Sequence, residues 1–153
     1  MDIRLVTENN IDILFNLAQA YEAEFSAITR KMPNKQGFFL LDTIPDDSHV
    51  GYLLYEKELP VGFCIADVNS AISDIAEFYI VPCLRLQNLG MRFAHAIFDK
   101  YPGAWQVRQI EGAVSACHFW RKVISFYTNN NFTQEVVKDP KWGIVTRQSF
   151  CTK

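Results

Sequence analysis

The stretch Glu77-Phe78-Tyr79-Ile80-Val81-Pro82-Cys83-Leu84-Arg85-Leu86-Gln87-Asn88-Leu89-Gly90-Met91 holds the residue types and spacing best suited to chemistry in this chain. A short apolar run stops at Pro82. A polar loop with one arginine follows, then a glycine, then an amphipathic helix. The first turn of a helix carries N–H groups with no acceptor inside the helix, and the aligned peptide dipoles put partial positive charge there. A loop that feeds into such a turn is a seat for phosphate. Arg85 adds a full positive charge and a planar fork of donors. A pyrophosphate held in this loop means a nucleotide-like cofactor. Glu77, just ahead of the apolar strand end, has two readings. Apolar surroundings raise a carboxylate's pKa and suit it to act as a base near neutrality; a strand-end carboxylate in a salt bridge is the other.

The elements that must position these residues are legible from periodicity. Ile3 to Val6 reads as a strand, and Thr7-Glu8-Asn9-Asn10 offers capping side chains. Ile11, Leu14, Phe15, Ala18, Tyr21, Phe25 and Ile28 recur at helical spacing and mark a core-facing helix. Lys31 to Asp47, with Pro33, Asn34, Gly37 and Pro45, reads as loop. Its apolar patch Phe38-Phe39-Leu40-Leu41 reads as a short helix or a lid over a pocket. His49 to Glu56 and Val61 to Val68 form a hairpin around the polar turn Lys57-Glu58-Leu59-Pro60. Asp74 to Val81 is a further strand, with Asp74 solvated near its start. Leu89 to Tyr101 is a helix stopped by Pro102-Gly103, and Trp105 to Ile110 is a strand. Ala113 to Tyr127 is a helix ended by Asn129-Asn130-Asn131. Phe132 to Val137 and Gly143 to Phe150 are the last two strands. The order β-α-loop-β-β-β-α-β-α-β-β predicts an α/β (α+β) domain with a mixed sheet. The strand-helix-strand unit over 74–110 should be right-handed, with its two strands parallel.

Bulk properties exclude several classes. A chain of 153 residues is expected to be a single domain, 1–153, with a real core. Aromatic residues make up 14%, enough to fill that core densely. A net charge of -2 gives no support for a general nucleic-acid binder. No apolar run approaches the roughly 18 residues that span a bilayer, and the N-terminus lacks a signal peptide pattern. Cys64, Cys83, Cys117 and Cys151 form no C-x-x-C pair, so no sequence-local zinc site is expected and no metal is called for. The expectation is a cytoplasmic protein with reduced thiols and no membrane association.

The chain resembles the GNAT N-acetyltransferase superfamily, whose members move an acetyl group from acetyl-CoA to an amine. The resemblance rests on Ile80-Val81-Pro82 at the strand end, with Arg85 three, Asn88 six and Gly90 eight residues past or at the family's loop spacing from Pro82. The segment Ala113-Val114-Ser115-Ala116-Cys117-His118-Phe119-Trp120 stands where the family opens its next helix with N-x-x-A-x-x-F-Y. Glu58-Leu59-Pro60-Val61-Gly62-Phe63 matches the family's hairpin turn. The resemblance covers nearly the whole chain. It implies a GNAT-like fold, with a mostly antiparallel central sheet and helices on both faces. It implies that the pantetheine arm of CoA lies along Ile80, Val81 and Pro82, and that the pyrophosphate is wrapped by the backbone of Arg85, Leu86, Gln87, Asn88, Leu89, Gly90 and Met91. Glu77 matches a position where some members place the base that deprotonates the amine. The implied acceptor is an amine of a small molecule or a peptide.

Three positions depart from the family pattern. Asn88 replaces a glycine, and asparagine is the next most tolerant residue for positive φ. Ala113 replaces a cofactor-contacting asparagine, a loss of about 0.5–1.5 kcal/mol if one hydrogen bond is absent. Trp120 replaces the tyrosine that protonates the leaving thiolate; an indole N–H is no practical acid at neutral pH. Tyr127, seven residues on and about 10 Å along the same face of that helix, is a poor stand-in. His95 reads as a boundary residue, His118 as a weak catalytic candidate and Cys83 as an inert thiol. These departures support a rival reading, a non-catalytic GNAT-like protein that binds CoA or a partner. A longer acyl donor is a second rival. The acceptor's identity and the oligomeric state, a homodimer included, stay open.

Overall fold

The structure, a computed structural model, describes residues 1–152. The chain runs β1 (Asp2–Leu5), α1 (Ile11–Thr29), β2 (His49–Glu56), β3 (Leu59–Asp67), β4 (Ser73–Ile80), a 3₁₀ turn (Pro82–Leu84), α2 (Leu89–Lys100), β5 (Ala104–Ile110), α3 (Val114–Thr128), β6 (Thr133–Asp139) and β7 (Gly143–Cys151). The strands form one seven-stranded sheet in the order β1-β2-β3-β4-β5-β7-β6. β1 is antiparallel to β2, and β5 and β6 are each antiparallel to β7. β4 is parallel to β5, with Ser73–Ile75 against Trp105–Val107. This is the mixed α/β sheet that the element order calls for, and the parallel pair follows from a helical crossover.

The contacts fall into two compact units: residues 1–66 with 76–90, and residues 67–75 with those from 91 onward. In the first, α1 lays Leu14 and Ala18 onto Leu53, Tyr55, Phe63, Ile65 and Tyr79. Each large apolar side chain fully buried here stabilises the unit by about 1.5–3 kcal/mol. The α1 helix ends at Arg30, whose left-handed backbone lets its N–H bond Ser26 O at 2.9 Å. Asn10 does not cap α1 with its side chain; its Oδ1 accepts from the Thr7 N–H instead.

The β2–β3 hairpin turns tighter than the sequence suggests. Lys57 and Glu58 take φ of 49° and 63°, which makes a two-residue turn, and β3 starts at Leu59 rather than at Val61. Gly62 is required on β3. A Cβ there would lie 2.4 Å from the carbonyl oxygen of Tyr79, so the backbones of β3 and β4 close up only because it is absent. Residues 30–48 contain neither helix nor strand, which removes the short-helix reading of Phe38-Phe39-Leu40-Leu41. Phe39 instead pairs its N–H and C=O with the side-chain amide of Gln19 on α1, at 2.8 and 2.9 Å. That amide substitutes for a strand neighbour, and it straps the segment along the helix.

The second unit is built on aromatics. Phe98 of α2 meets Trp105, Phe150 and Tyr127 with ring centroids 5.0, 5.0 and 5.2 Å away. Trp105 donates its indole N–H to Tyr101 O, so the polar end of a buried ring is satisfied. The α3 helix stops where Asn129 and Asn130 turn left-handed, as the asparagine run predicts. Asp74 is not solvated. It is 6% exposed and ion-paired to Arg108, which also holds Asp139. A strand-start position reads as exposed, but this one lies beside β5 and its arginine.

Candidate functional site

The site in the first unit begins where β4 stops. Val81 makes the last rung, its N–H on Val61 O at 2.9 Å. Pro82 then supplies no N–H and opens a single 3₁₀ turn, closed by the N–H groups of Leu84 and Arg85 on Val81 O and Pro82 O. Leu86 and Asn88 follow in the left-handed region, at φ of 64° and 58°. Asn88 therefore adopts the conformation that a glycine would supply, and adopts it as asparagines do. Leu86 does so with its side chain fully exposed. At Leu89 the chain enters α2, whose first-turn N–H groups at Leu89, Gly90 and Met91 lack acceptors within the helix. Ile80 and Gln87 lie at the strand end and in the loop, Gln87 with its amide on Cys83 O.

The structure turns Arg85 back on the strand it follows. Its Nε donates to Ile80 O at 2.8 Å, and its two terminal nitrogens straddle the Glu24 carboxylate of α1 at 2.9 and 3.0 Å. The guanidinium carbon lies 5.4 Å from the Tyr79 ring centroid. Its fork is spent on fixing the loop to β4 and α1. With that fork engaged, the positive character left to the loop is that of unpaired backbone N–H groups and the α2 dipole.

Glu77 lies on β4, 6% exposed. Its partner is a phenol rather than a cation: the Tyr21 hydroxyl donates to Oε2 at 2.6 Å. Burial pushes the Glu77 carboxyl up to about 7, and the Tyr21 hydrogen bond opposes that rise. The salt-bridge reading of Glu77 therefore gives way to a buried carboxylate near the midpoint of its titration at neutral pH. Tyr21 is itself held well above a phenol's ordinary pKa, by burial first and then by the Glu77 charge.

A second charge cluster lies where α1 meets the strap. Lys31 Nζ contacts Glu22 at 2.9 Å, Asp42 at 2.8 Å and Leu40 O at 2.8 Å. Burial raises the pKa of Glu22 while Lys31 lowers it. Glu22 and Asp42 disfavour ionisation of Glu77, and Lys31 favours it. Residue spacing carries no sign of this convergence, because the three charges are spread over twenty residues of helix and loop.

In the second unit, Ala113 is buried at the start of α3 and Trp120 is buried among Phe98 and Phe119. Tyr127 donates to Asp99 at 2.7 Å, and His95 bonds Val123 O at 2.9 Å. Both serve the α2–α3 seam. His118 and Cys83 are exposed, and the four cysteines are free thiols. Among the described residues, no cluster of histidine, cysteine and carboxylate side chains could hold a metal, and no helix is long and apolar enough to cross a membrane.

No family model matches the chain, and no curated protein is similar to it in sequence. Solved structures are similar in fold. A mutant spermidine N-acetyltransferase from Vibrio cholerae superposes with a TM-score of 0.66 at 10% identity, over 99% of this chain and 95% of that one. An aminoglycoside acetyltransferase in complex with coenzyme A and kanamycin gives 0.67 at 16% identity, over 97% and 93%. A ribosomal-protein-alanine N-acetyltransferase from Brucella melitensis gives 0.64 at 11% identity, over 99% and 100%. The chain has the GNAT fold. The fold is thus shared at identities too low for the sequences to match, which is what a fold held by burial pattern and backbone geometry permits.

Proposed function

We propose that this chain, as one domain, is an acetyl-CoA-dependent N-acetyltransferase acting on an amine of a small molecule or peptide. The observation that carries the reading is Glu77, a buried carboxylate with a neutral partner, on the strand that leads into the loop before α2. The solved neighbours support it, since the acceptors in their names are a polyamine, an aminoglycoside and a protein alanine. The register of β4 with β5 covers Ser73–Ile75, so residues 76–80 lie beyond it and offer backbone to a pantetheine arm as an added strand would. Ile80, Val81 and Pro82 hold that arm. The backbone of Leu86 to Met91 holds the pyrophosphate, with Asn88 already in the left-handed turn; the Arg85 N–H, expected to join it, is engaged by Pro82 O instead.

An amine of ordinary pKa is mostly protonated at neutral pH and must lose a proton to attack. Glu77 accepts it. The nitrogen adds to the thioester carbonyl, the C–N bond forms, and the C–S bond breaks with the electron pair leaving on sulfur. The nitrogen gives up its second proton as the adduct collapses, and the thiolate takes up that proton directly or through water, because Trp120 supplies none. Catalysis is otherwise positional. Calorimetric titration with acetyl-CoA, followed by thiol release across a panel of amines, tests the reading. Binding with amine-dependent thiol release is the expected result; no binding at millimolar acetyl-CoA overturns it.

A further inference from the structure

Tyr21 belongs to the apolar stripe of α1, and its ring is packed as a core residue. Phe25 stacks on it at 5.5 Å, Phe63 meets it edge-on at 5.6 Å, and Tyr79 lies 6.0 Å away. A phenylalanine would serve that packing equally well. What the packing does not require is the hydroxyl, and the hydroxyl is directed at Glu77 Oε2, 2.6 Å away on a different element. We propose that Tyr21 is a positioning residue for the transfer reaction, its hydroxyl fixing one oxygen of Glu77 so that the other takes the amine proton. This role rests on Glu77 acting as the base.

The remaining groups that face Glu77 are Glu22 on α1, Lys31 and Asp42 on the strap, and Cys64 on β3. Burial keeps the Cys64 thiol protonated. Lys31 bridges Glu22 and Asp42 and offsets only part of their charge, so the pair still disfavours ionisation of Glu77. The Tyr21 bond is the contact that distinguishes ionised from protonated Glu77 at hydrogen-bond range, and it favours the ionised form. Tyr21 keeps its own proton, being held far above an ordinary phenol. It orients the carboxylate and transfers nothing: the amine proton moves to Glu77, and the Tyr21 O–H bond stays intact.

The test uses the full chain with Tyr21→Phe, with 3-fluorotyrosine placed at position 21, and with Glu77→Gln to assign the Glu77 carboxyl signal. Carbon-13 NMR reads the titration of that carboxyl, and thiol release with spermidine as the probe amine reads the pH profile of kcat/KM. Tyr21→Phe should raise both midpoints by about one pH unit, a change of about 1.4 kcal/mol between protonation states, with acetyl-CoA affinity unchanged. The more acidic fluorotyrosine should lower both. An unmoved NMR midpoint in both variants overturns the Tyr21 role alone. A moved NMR midpoint with an unmoved rate profile overturns Glu77 as base, and the positioning role with it. No thiol release from wild type with any amine overturns the transferase reading, while the NMR titration still reports whether Tyr21 controls Glu77.

Discussion

Asp74 and Glu77 stand three residues apart on β4, equally buried at 6% exposure, and the fold gives them unlike partners. Asp74 faces Arg108, with its Oδ2 2.6 Å from a guanidinium nitrogen and 3.0 Å from the Gln106 amide. Arg108 is shared with Asp139, whose other oxygen takes the N–H groups of Lys141 and Trp142. Glu77 has a neutral hydroxyl. Burial lifts both carboxyls, to about 6 for Asp74 against its arginine and to about 7 for Glu77 without one. A cation partner turns a buried carboxylate into a fastening between elements. A phenol leaves it free to exchange a proton near neutral pH.

The largest effect that would break this contrast is Arg108→Met. Removing the cation strands Asp74, whose Oδ1 is already buried without a partner, and should cost about 3–5 kcal/mol of stability in denaturant unfolding. Adding Asp74→Asn to that variant should restore part of the loss. If Arg108→Met is neutral, Asp74 is not a fastening. Glu77→Gln should act in the opposite direction. Folded Glu77 titrates at about 7 and ordinarily at 4.5. The folded state therefore binds the extra proton between those values, and the stability Glu77 contributes is full below 4.5 and lost as pH rises through 7. Above neutrality the substitution should stabilise by about 3 kcal/mol and flatten the dependence of Tm on pH. The same substitution should lower turnover about 10²–10⁴-fold. A gain in stability at the expense of rate is the signature of a residue kept for chemistry.

Smaller effects sharpen the picture. Tyr21→Phe should cost about 1 kcal/mol of stability, the worth of one ordinary hydrogen bond, far below Arg108→Met. Glu24→Gln should weaken acetyl-CoA affinity only a few-fold in calorimetry, because the Arg85–Glu24 pair is partly exposed and such pairs are worth about 0–1 kcal/mol. Tighter binding in that variant would mean that Glu24 withholds Arg85 from the phosphate.

The parts of the molecule legible in the sequence are those set by short-range rules. Periodicity placed all three helices and the strands. The proline, the asparagine and the glycine of the 82–90 loop announced its turns, and Asn88 takes the positive φ that its residue type allows. Glu77 stood out as a carboxylate at an apolar strand end. What sequence could not give depends on residues far apart in the chain. Tyr21 is 56 positions from Glu77 and reads as one more member of an apolar stripe, since a tyrosine's hydroxyl leaves no trace in helical periodicity. Glu24 is 61 positions from Arg85. Asp74 looked exposed because its arginine comes from a strand that becomes its neighbour only after the α2 crossover. Lys31 to Asp47 is the loop that its residues predict, but its pairing to α1 leaves no mark in the sequence because the partner is a side chain, Gln19, in place of a strand.

Whether Glu77 takes the amine proton is read from the pH dependence of kcat/KM for amine-dependent thiol release from acetyl-CoA. Wild type should show a rate that rises with pH through a midpoint near 7, and Glu77→Gln should lose that limb together with most of the rate. A Glu77→Gln enzyme that keeps both the rate and the limb would rule out Glu77 as the base.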